Sequence, residues 1–492
     1  MPASPKTPAS LPKRTNWWGA FVIGLAGTIL VTGVAPFAVQ SMGAASIPIF
    51  LLVSGAGLFL CLCLAELSAM MPDRTGGLPA YAFETFKCFG PGAARHIGGI
   101  SAWSYGLGWF PVAPLNMILA AKYIAVIWGI PLGREFMPIS APINLNVLVL
   151  SIVGLLILFI PCYLGIRLGA GFATVLGIVS MVPLTLLIFL PFLRPSTLHW
   201  SNVAGFRLAD PSTRTFVFFI SWIFILTWSV LGTEAAACYI GECRDSTRDA
   251  KIALSASGLY GSLIYVTIPL LLVAVLGRSD TDPLTAFLAY TEAIFGSGGW
   301  VKWIIGIPII VALLLSVLNA IMGCSRSLYQ VAHDGVIPRF FQHTNRHGVP
   351  DFAMFFNLAG SIIVVFLGSP LEIYIFSNMG YLLAVALALI GYFLYRQRYP
   401  DLKRPVRMPG VMRYFALAIG VFFLFVWAYG GYYASDIAVG PGKHWLFFWG
   451  LGICFLYMPL HAYRRFVEDR RPVTEELQGS VGAEVAPSEA DS

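Results

Sequence analysis

Apolar runs of about 20 residues recur along the whole chain, and that is the length an α-helix needs to cross a hydrocarbon layer ~30 Å thick. The runs fall at about 17–39, 46–71, 97–128, 143–163, 168–192, 216–240, 251–276, 300–330, 352–368, 371–395, 413–433 and 445–463. Within lipid only helices and closed barrels satisfy every backbone polar group, and runs this long are helices rather than strands. The expectation is an all-α polytopic membrane protein with twelve transmembrane helices. Of the 492 residues, 58% are apolar and only 11% charged, with a mean hydropathy of +0.77, and this excludes a water-soluble chain.

Cys61, Cys63, Cys162, Cys238, Cys324 and Cys454 lie in or at the ends of apolar runs, so the eight cysteines do not read as a disulfide framework. No Cys-x-x-Cys pair or spaced His cluster calls for a metal, and no cofactor is expected. The net charge of +7 is spread over short loops rather than gathered into a nucleic-acid-binding stripe. Alternate loops carry most of the Lys and Arg, among them Lys13, Arg14, Arg95, Arg248, Arg339 and the cluster Arg396 to Arg413. By the positive-inside rule both termini are cytoplasmic, in a plasma membrane or a bacterial inner membrane. Residues 1–16 read as a retained cytoplasmic tail and 17–465 as the twelve-helix domain. Residues 466–492, acidic and rich in Pro, Gly and Ser, read as a disordered cytoplasmic tail.

Two spans are interrupted near their middles. Span 1 contains Gly24-Leu25-Ala26-Gly27-Thr28, then Gly33 and Pro36; span 6 contains Ser229-Val230-Leu231-Gly232-Thr233-Glu234. Backbone groups freed by such breaks are tolerated in a membrane only where they are buried in protein or line a cavity. The two breaks are five spans apart, in spans 1 and 6, the spacing of inverted repeats whose first helices are both discontinuous around a midplane site. The alternative is close helix packing through small residues.

Glu234 is the one carboxylate the sequence places well inside a span, where a charge costs on the order of 2.5–3.5 kcal/mol. It reads either as a proton-accepting or gating carboxylate or as a hydrogen-bonded tie between helices. Trp228, six residues earlier, could cap a small cavity or simply pack. Glu66, near the end of span 2, can reach water or pair with nearby basic residues, a structural role.

Three separated blocks then carry a resemblance. Glu66-Leu67-Ser68-Ala69-Met70-Met71-Pro72 with Gly76-Gly77 and Tyr81 resembles the helix 2 and first cytoplasmic loop signature of the amino acid-polyamine-organocation (APC) transporters. Ser325-Arg326-Ser327-Leu328-Tyr329 with Asp334-Gly335-Val336-Ile337-Pro338 and Gly348-Val349-Pro350 resembles that family's helix 8 to 9 loop. Arg398-Tyr399-Pro400-Asp401-Leu402 with Arg404-Pro405 and Pro409-Gly410 is similar to its helix 10 to 11 loop.

The resemblance implies a five-plus-five inverted repeat with two further helices and discontinuous helices 1 and 6. It also implies a secondary transporter working by alternating access; the chain has no Walker A pattern. The substrate carboxylate is expected on the backbone of Ala26, Gly27 and Thr28, and the amino group on the helix 6 backbone at Leu231 and Gly232. Span 6 resembles the arginine/agmatine antiporter branch, which gives Trp228 the role of lid and Glu234 that of proton coupling. The sequence departs from relatives in three places. Thr28-Ile29-Leu30 lacks an aromatic, Ser180 stands where many relatives have a lysine, and Leu318-Asn319-Ala320-Ile321 lacks the Trp used against a guanidinium. Ser180 and Ser316 are the candidate ion-site residues.

The expected partners are therefore an amino acid or amine substrate, protons and the lipid bilayer, with no nucleic acid. Polyamine or cationic amine transport, and a non-transporting nutrient sensor on the same fold, are the competing readings. An intramembrane enzyme would need convergent catalytic groups that the spans do not show.

Overall fold

The computed structural model describes residues 15–470 except 26, 73–76, 140, 165–169, 205–214, 279–280, 334, 439 and 443. The expected tails therefore lie largely outside the described residues, as does Ala26. Helices dominate. The first run becomes α1 (Trp17–Leu25), a 3-10 turn Thr28–Leu30 and α2 (Val31–Met42). Next come α3 (Ser46–Met70), α4 (Leu78–Thr85), α5 (Pro91–Trp109), α6 (Val112–Trp128), α7 (Leu145–Tyr163), α8 (Ala170–Phe189) and α9 (Trp200–Ala204). Span 6 becomes α10 (Thr215–Val230) and continues as a 3-10 segment, Leu231–Glu242. The chain goes on through α11 (Ser246–Leu276), α12 (Ala286–Phe295), α13 (Val301–His333), α14 (Asp351–Val365) and α15 (Pro370–Arg398). It ends with α16 (Met412–Phe425), α17 (Gly431–Ala438), α18 (Trp445–Phe455) and α19 (Tyr457–Ala462). A two-residue antiparallel pairing, Glu135–Phe136 against Ile143–Asn144, closes the loop before α7.

Among the described residues nine helical stretches are long and apolar enough to cross a membrane, or up to ten if one bent pair counts as a single span. Three features separate this number from the twelve apolar runs. The first two runs meet in one stretch, Thr28–Met70, whose 43 residues would extend about 65 Å if straight, but Gly43 at φ +55° turns the chain between α2 and α3. The fifth run leads into a 96° bend between Gly177–Leu193 and Pro195–Ala204, and the ninth, Asp351–Val365, has only 15 helical residues.

Packing sets the two interrupted spans side by side. α1 lies along the 3-10 segment 231–242, and α11 lies against α1 and α3. Their outer ends are tied as well, because Thr15 donates to Glu242 O and Arg244 donates to Thr15 O, both at 3.1 Å. Gly24 makes the close approach: a Cβ there would stand 2.9 Å from Ala236 Cβ and 3.0 Å from its backbone N. Small-residue packing thus accounts for Gly24. α15, which packs on α5 and α10, supplies much of the opposite wall.

Candidate functional site

α1 ends at Leu25 and Thr28–Leu30 run at 3-10 pitch, with the side chain of Thr28 donating back to Leu25 O at 2.7 Å. That hydroxyl is therefore engaged within the chain. At Gly27 the carbonyl accepts from Tyr265 Oη on α11 at 3.3 Å. After Val230 span 6 changes from α to 3-10 pitch, the kind of change at which the regular hydrogen-bond ladder passes over a carbonyl.

The two breaks face each other. A Cβ on Gly27 would stand 3.7 Å from Gly232 O and 3.7 Å from the Trp109 ring, both ordinary contact distances, whereas a Cβ on Gly232 would meet no atom of the described residues within 4 Å. Gly232 therefore borders open space, unlike Gly24. Leu231, fully buried, turns its side chain onto Gly57 of α3, so its contribution to the break is backbone.

Glu234 is fully buried three residues past the start of the 3-10 segment. Tyr105 on α5 and Tyr381 on α15 each donate to its Oε1 at 3.0 Å, while its Oε2 has no hydrogen-bond partner among the described residues. An orphaned buried carboxylate oxygen is costly unless something else meets it. Tyr105 Oη also lies 3.3 Å from Cys238 Sγ.

Trp228 is almost wholly buried, with Nε1 donating to Gly108 O at 2.7 Å and its ring edge-on to Tyr374 at 5.1 Å. Its orientation is fixed by a hydrogen bond rather than by packing alone. Asn378 on α15 donates to Phe224 O and, at 2.8 Å, to Thr227 Oγ1, which holds α10 against α15 just before the change of pitch.

The candidate ion-site serines lie on separate helices. Ser180 is buried in α8; Ser316, buried in α13, accepts from Asn116 Nδ2 at 2.8 Å. A cleft lined by Pro36, Gln40, Leu272 and Pro283 opens about 12 Å along α2 from Thr28. Beside it Arg278 Nε donates to Gln40 O at 3.0 Å and Lys122 pairs with Asp282 at 3.0 Å.

A second buried glutamate lies elsewhere. Glu66, at the far end of α3, receives Arg396 Nε at 2.8 Å and Nη2 at 3.0 Å, Tyr392 Oη at 3.1 Å and the Met408 N–H at 2.9 Å. Arg404 Nε is 3.1 Å from its Oε1, close as a charge though not aligned as a hydrogen bond. Glu372, in the first turn of α15, is buried too. Glu234 is thus one of several buried carboxylates in helices: segment 399–410 folds over Glu66 and excludes the water that its position near a helix end suggested.

Sequence reasoning picked out Gly27, Thr28, Trp228, Leu231, Gly232 and Glu234, and the structure gathers them around one junction. It missed Tyr105, Trp109, Tyr265 and Tyr381. The available signal was a hydroxyl or indole N–H inside an apolar run, each needing a partner in lipid, and the seven-residue spacing that puts Tyr374 and Tyr381 on one helix face.

A family model described as amino acid permease matches residues 16–458. A polyamine transporter of Oryza sativa subsp. japonica is 25% identical over 349 residues, 70% of this chain and 60% of its own length. A branched-chain amino acid permease of Bacillus subtilis (strain 168) is 24% identical over 477 residues, 90% of this chain and 93% of the relative. A glutamate/gamma-aminobutyrate antiporter of Lactococcus lactis subsp. lactis (strain IL1403) is 26% identical over 219 residues, 40% and 41% of the two chains. The chain thus spans less than two thirds of the polyamine transporter and of the antiporter.

Proposed function

This chain belongs to the amino acid permease family, one of APC transporters and not of enzymes, and is a multi-pass membrane protein; on that premise we propose that it is a secondary active transporter of an amino acid or related amine. It works by alternating access, with twelve spans, a five-plus-five inverted repeat and both termini in the cytoplasm of a plasma or bacterial inner membrane.

The observation that carries this reading is the junction of the two breaks. Gly27 and Gly232 O lie within contact reach of each other, with open space beside Gly232 among the described residues; the change of pitch in each span leaves the first N–H groups of the second half of span 1 and a passed-over carbonyl of span 6 to serve a ligand. Positive helix ends suit a carboxylate and free carbonyls suit an ammonium group, so an amino acid fits between them. Glu234, with one oxygen held and one free, is the residue of proton coupling, and Trp228 is the lid. Ser180 and Ser316 remain the candidates for an ion site, and polyamines remain the alternative substrate because one relative carries that name.

Uptake by the purified chain in proteoliposomes, run against a panel of amino acids and amines with and without a pH gradient, tests the proposal. Accumulation of at least one of them is expected. Folded protein that accumulates none of the panel, yet is stabilised by one of its members, is a sensor on a transporter fold instead.

A further inference from the structure

Trp109, the last residue of α5, stands over the junction of the two breaks. Its ring is the side chain nearest to where a Cβ on Gly27 would be, at 3.7 Å, and the space at Gly232 is open. Its Nε1 is buried and has no hydrogen-bond partner among the described residues. One turn earlier, Tyr105 lies 6.1 Å from it ring to ring and donates to Glu234 Oε1, whose companion Oε2 is the second orphaned atom of the same cluster.

An indole N–H is a donor only. A polyamine with every amine protonated presents donors only, so it leaves that N–H unmet. A zwitterionic amino acid brings a carboxylate, the one acceptor it needs. The acids point the same way. A polyamine wants a carboxylate for each ammonium group, and Glu234 is the one this cluster holds among the described residues. Glu66 is bound to two arginines, and Glu372 lies about 200° around α15 from Tyr374, on the face turned away from Trp228. Trp109, Tyr105 and Tyr381 pack in a row at 6.1 Å each and Trp228 is tied to Gly108 O beside Trp109, an aromatic surrounding that suits an apolar side chain.

Building on the transporter reading above, we propose that Trp109 determines specificity at this site. Its N–H holds the substrate carboxylate beside the backbone donors of span 1, and its ring bounds the side-chain pocket. The substrate is an amino acid with an apolar side chain rather than a polyamine or a cationic amino acid.

The test is competition and saturation of labelled leucine uptake in proteoliposomes holding the full chain. In wild type, leucine is expected to compete at least about tenfold better than lysine, putrescine or leucine methyl ester, the last lacking a carboxylate anion. Trp109→Phe keeps a ring and loses the N–H; it is expected to raise the leucine KM about tenfold with Vmax within about twofold, as loss of one charge-assisted hydrogen bond demands. Trp109→Ala, by enlarging the pocket, is expected to flatten the preference for leucine over alanine. An unchanged KM in Trp109→Phe, or putrescine or lysine matching leucine, overturns the proposal while leaving the chain a transporter. If Trp109→Phe does not fold, the comparison of leucine with its methyl ester in wild type decides, and equal competition by the ester overturns the proposal. Wild type that takes up no member of a wider amino acid and amine panel overturns the transporter reading itself.

Discussion

Glu66 and Glu234 are both fully buried glutamates on adjoining parts of the bundle, yet their surroundings differ in kind. Glu66 is saturated. Its two oxygens receive a bidentate guanidinium, a second arginine at ion-pair distance, a tyrosine hydroxyl and a backbone N–H. Arg396 itself also donates to Pro409 O at 2.8 Å and Met408 O at 2.5 Å, so the assembly clamps segment 399–410 onto the ends of α3 and α15. Glu234 has no cation beside it among the described residues; two tyrosine hydroxyls share one oxygen and the other is unmet. A saturated charge network specifies one arrangement and resists change, whereas an unsaturated one has room for a proton or a ligand.

The largest effect is expected at Glu66. Glu66→Ala leaves Arg396 and Arg404 buried without their carboxylate, and about 3–5 kcal/mol of stability should be lost, read as a fall in unfolding temperature and folded yield in detergent. Near wild-type stability would mean the clamp is not structural.

Gly27→Leu and Gly232→Leu should abolish substrate binding while membrane insertion stays largely intact, because a side chain at either position enters the space between the breaks. Unchanged affinity in both moves the site elsewhere.

Glu234→Gln sharpens the contrast. It keeps the size and the acceptor for Tyr105 and Tyr381 but cannot release a proton, so stability should change far less than in Glu66→Ala while the pH dependence of initial uptake between pH 5 and 8 disappears. Superimposable normalised profiles for wild type and variant would return Glu234 to a purely structural role. Trp228→Ala comes next. It removes an aromatic face and the hydrogen bond to Gly108 O, and weaker substrate binding or occlusion is expected in equilibrium binding.

The smallest effect is expected at the end of the described chain, where Asp469 accepts from Arg339 at 2.7 Å and Arg464 at 3.1 Å. Partial burial pushes its carboxyl upward, but those two guanidinium groups outweigh it and hold it below the ordinary carboxylate range. A depressed value means the contact contributes fully above that range and is lost as the pH falls through the depressed value. Hydrogen exchange in Arg339–Gln342 should therefore be insensitive to Asp469→Asn at strongly acidic pH and faster in the variant at neutral pH.

The sequence by itself settled the solvent and the class of fold, because runs of about 20 apolar residues have no other low-energy solution than helices in lipid. It also located the breaks, since glycines clustered at mid-run are costly unless the freed backbone is used, and it singled out Glu234 because a carboxylate there needs a reason. Everything that depends on which helix lies beside which was decided by the tertiary structure. Gly24 and Gly232 look alike in the sequence, but one is pressed against Ala236 and the other borders open space. Glu66 and Arg396 are 330 residues apart, and Tyr105, Trp109 and Tyr381 reach the junction from α5 and α15. Hydropathy fixes that a segment is a helix in lipid, but lipid tails are as apolar as leucine, so which neighbour a helix takes is set by side-chain fit and by polar partners across the interface, and neither is a local property of the chain.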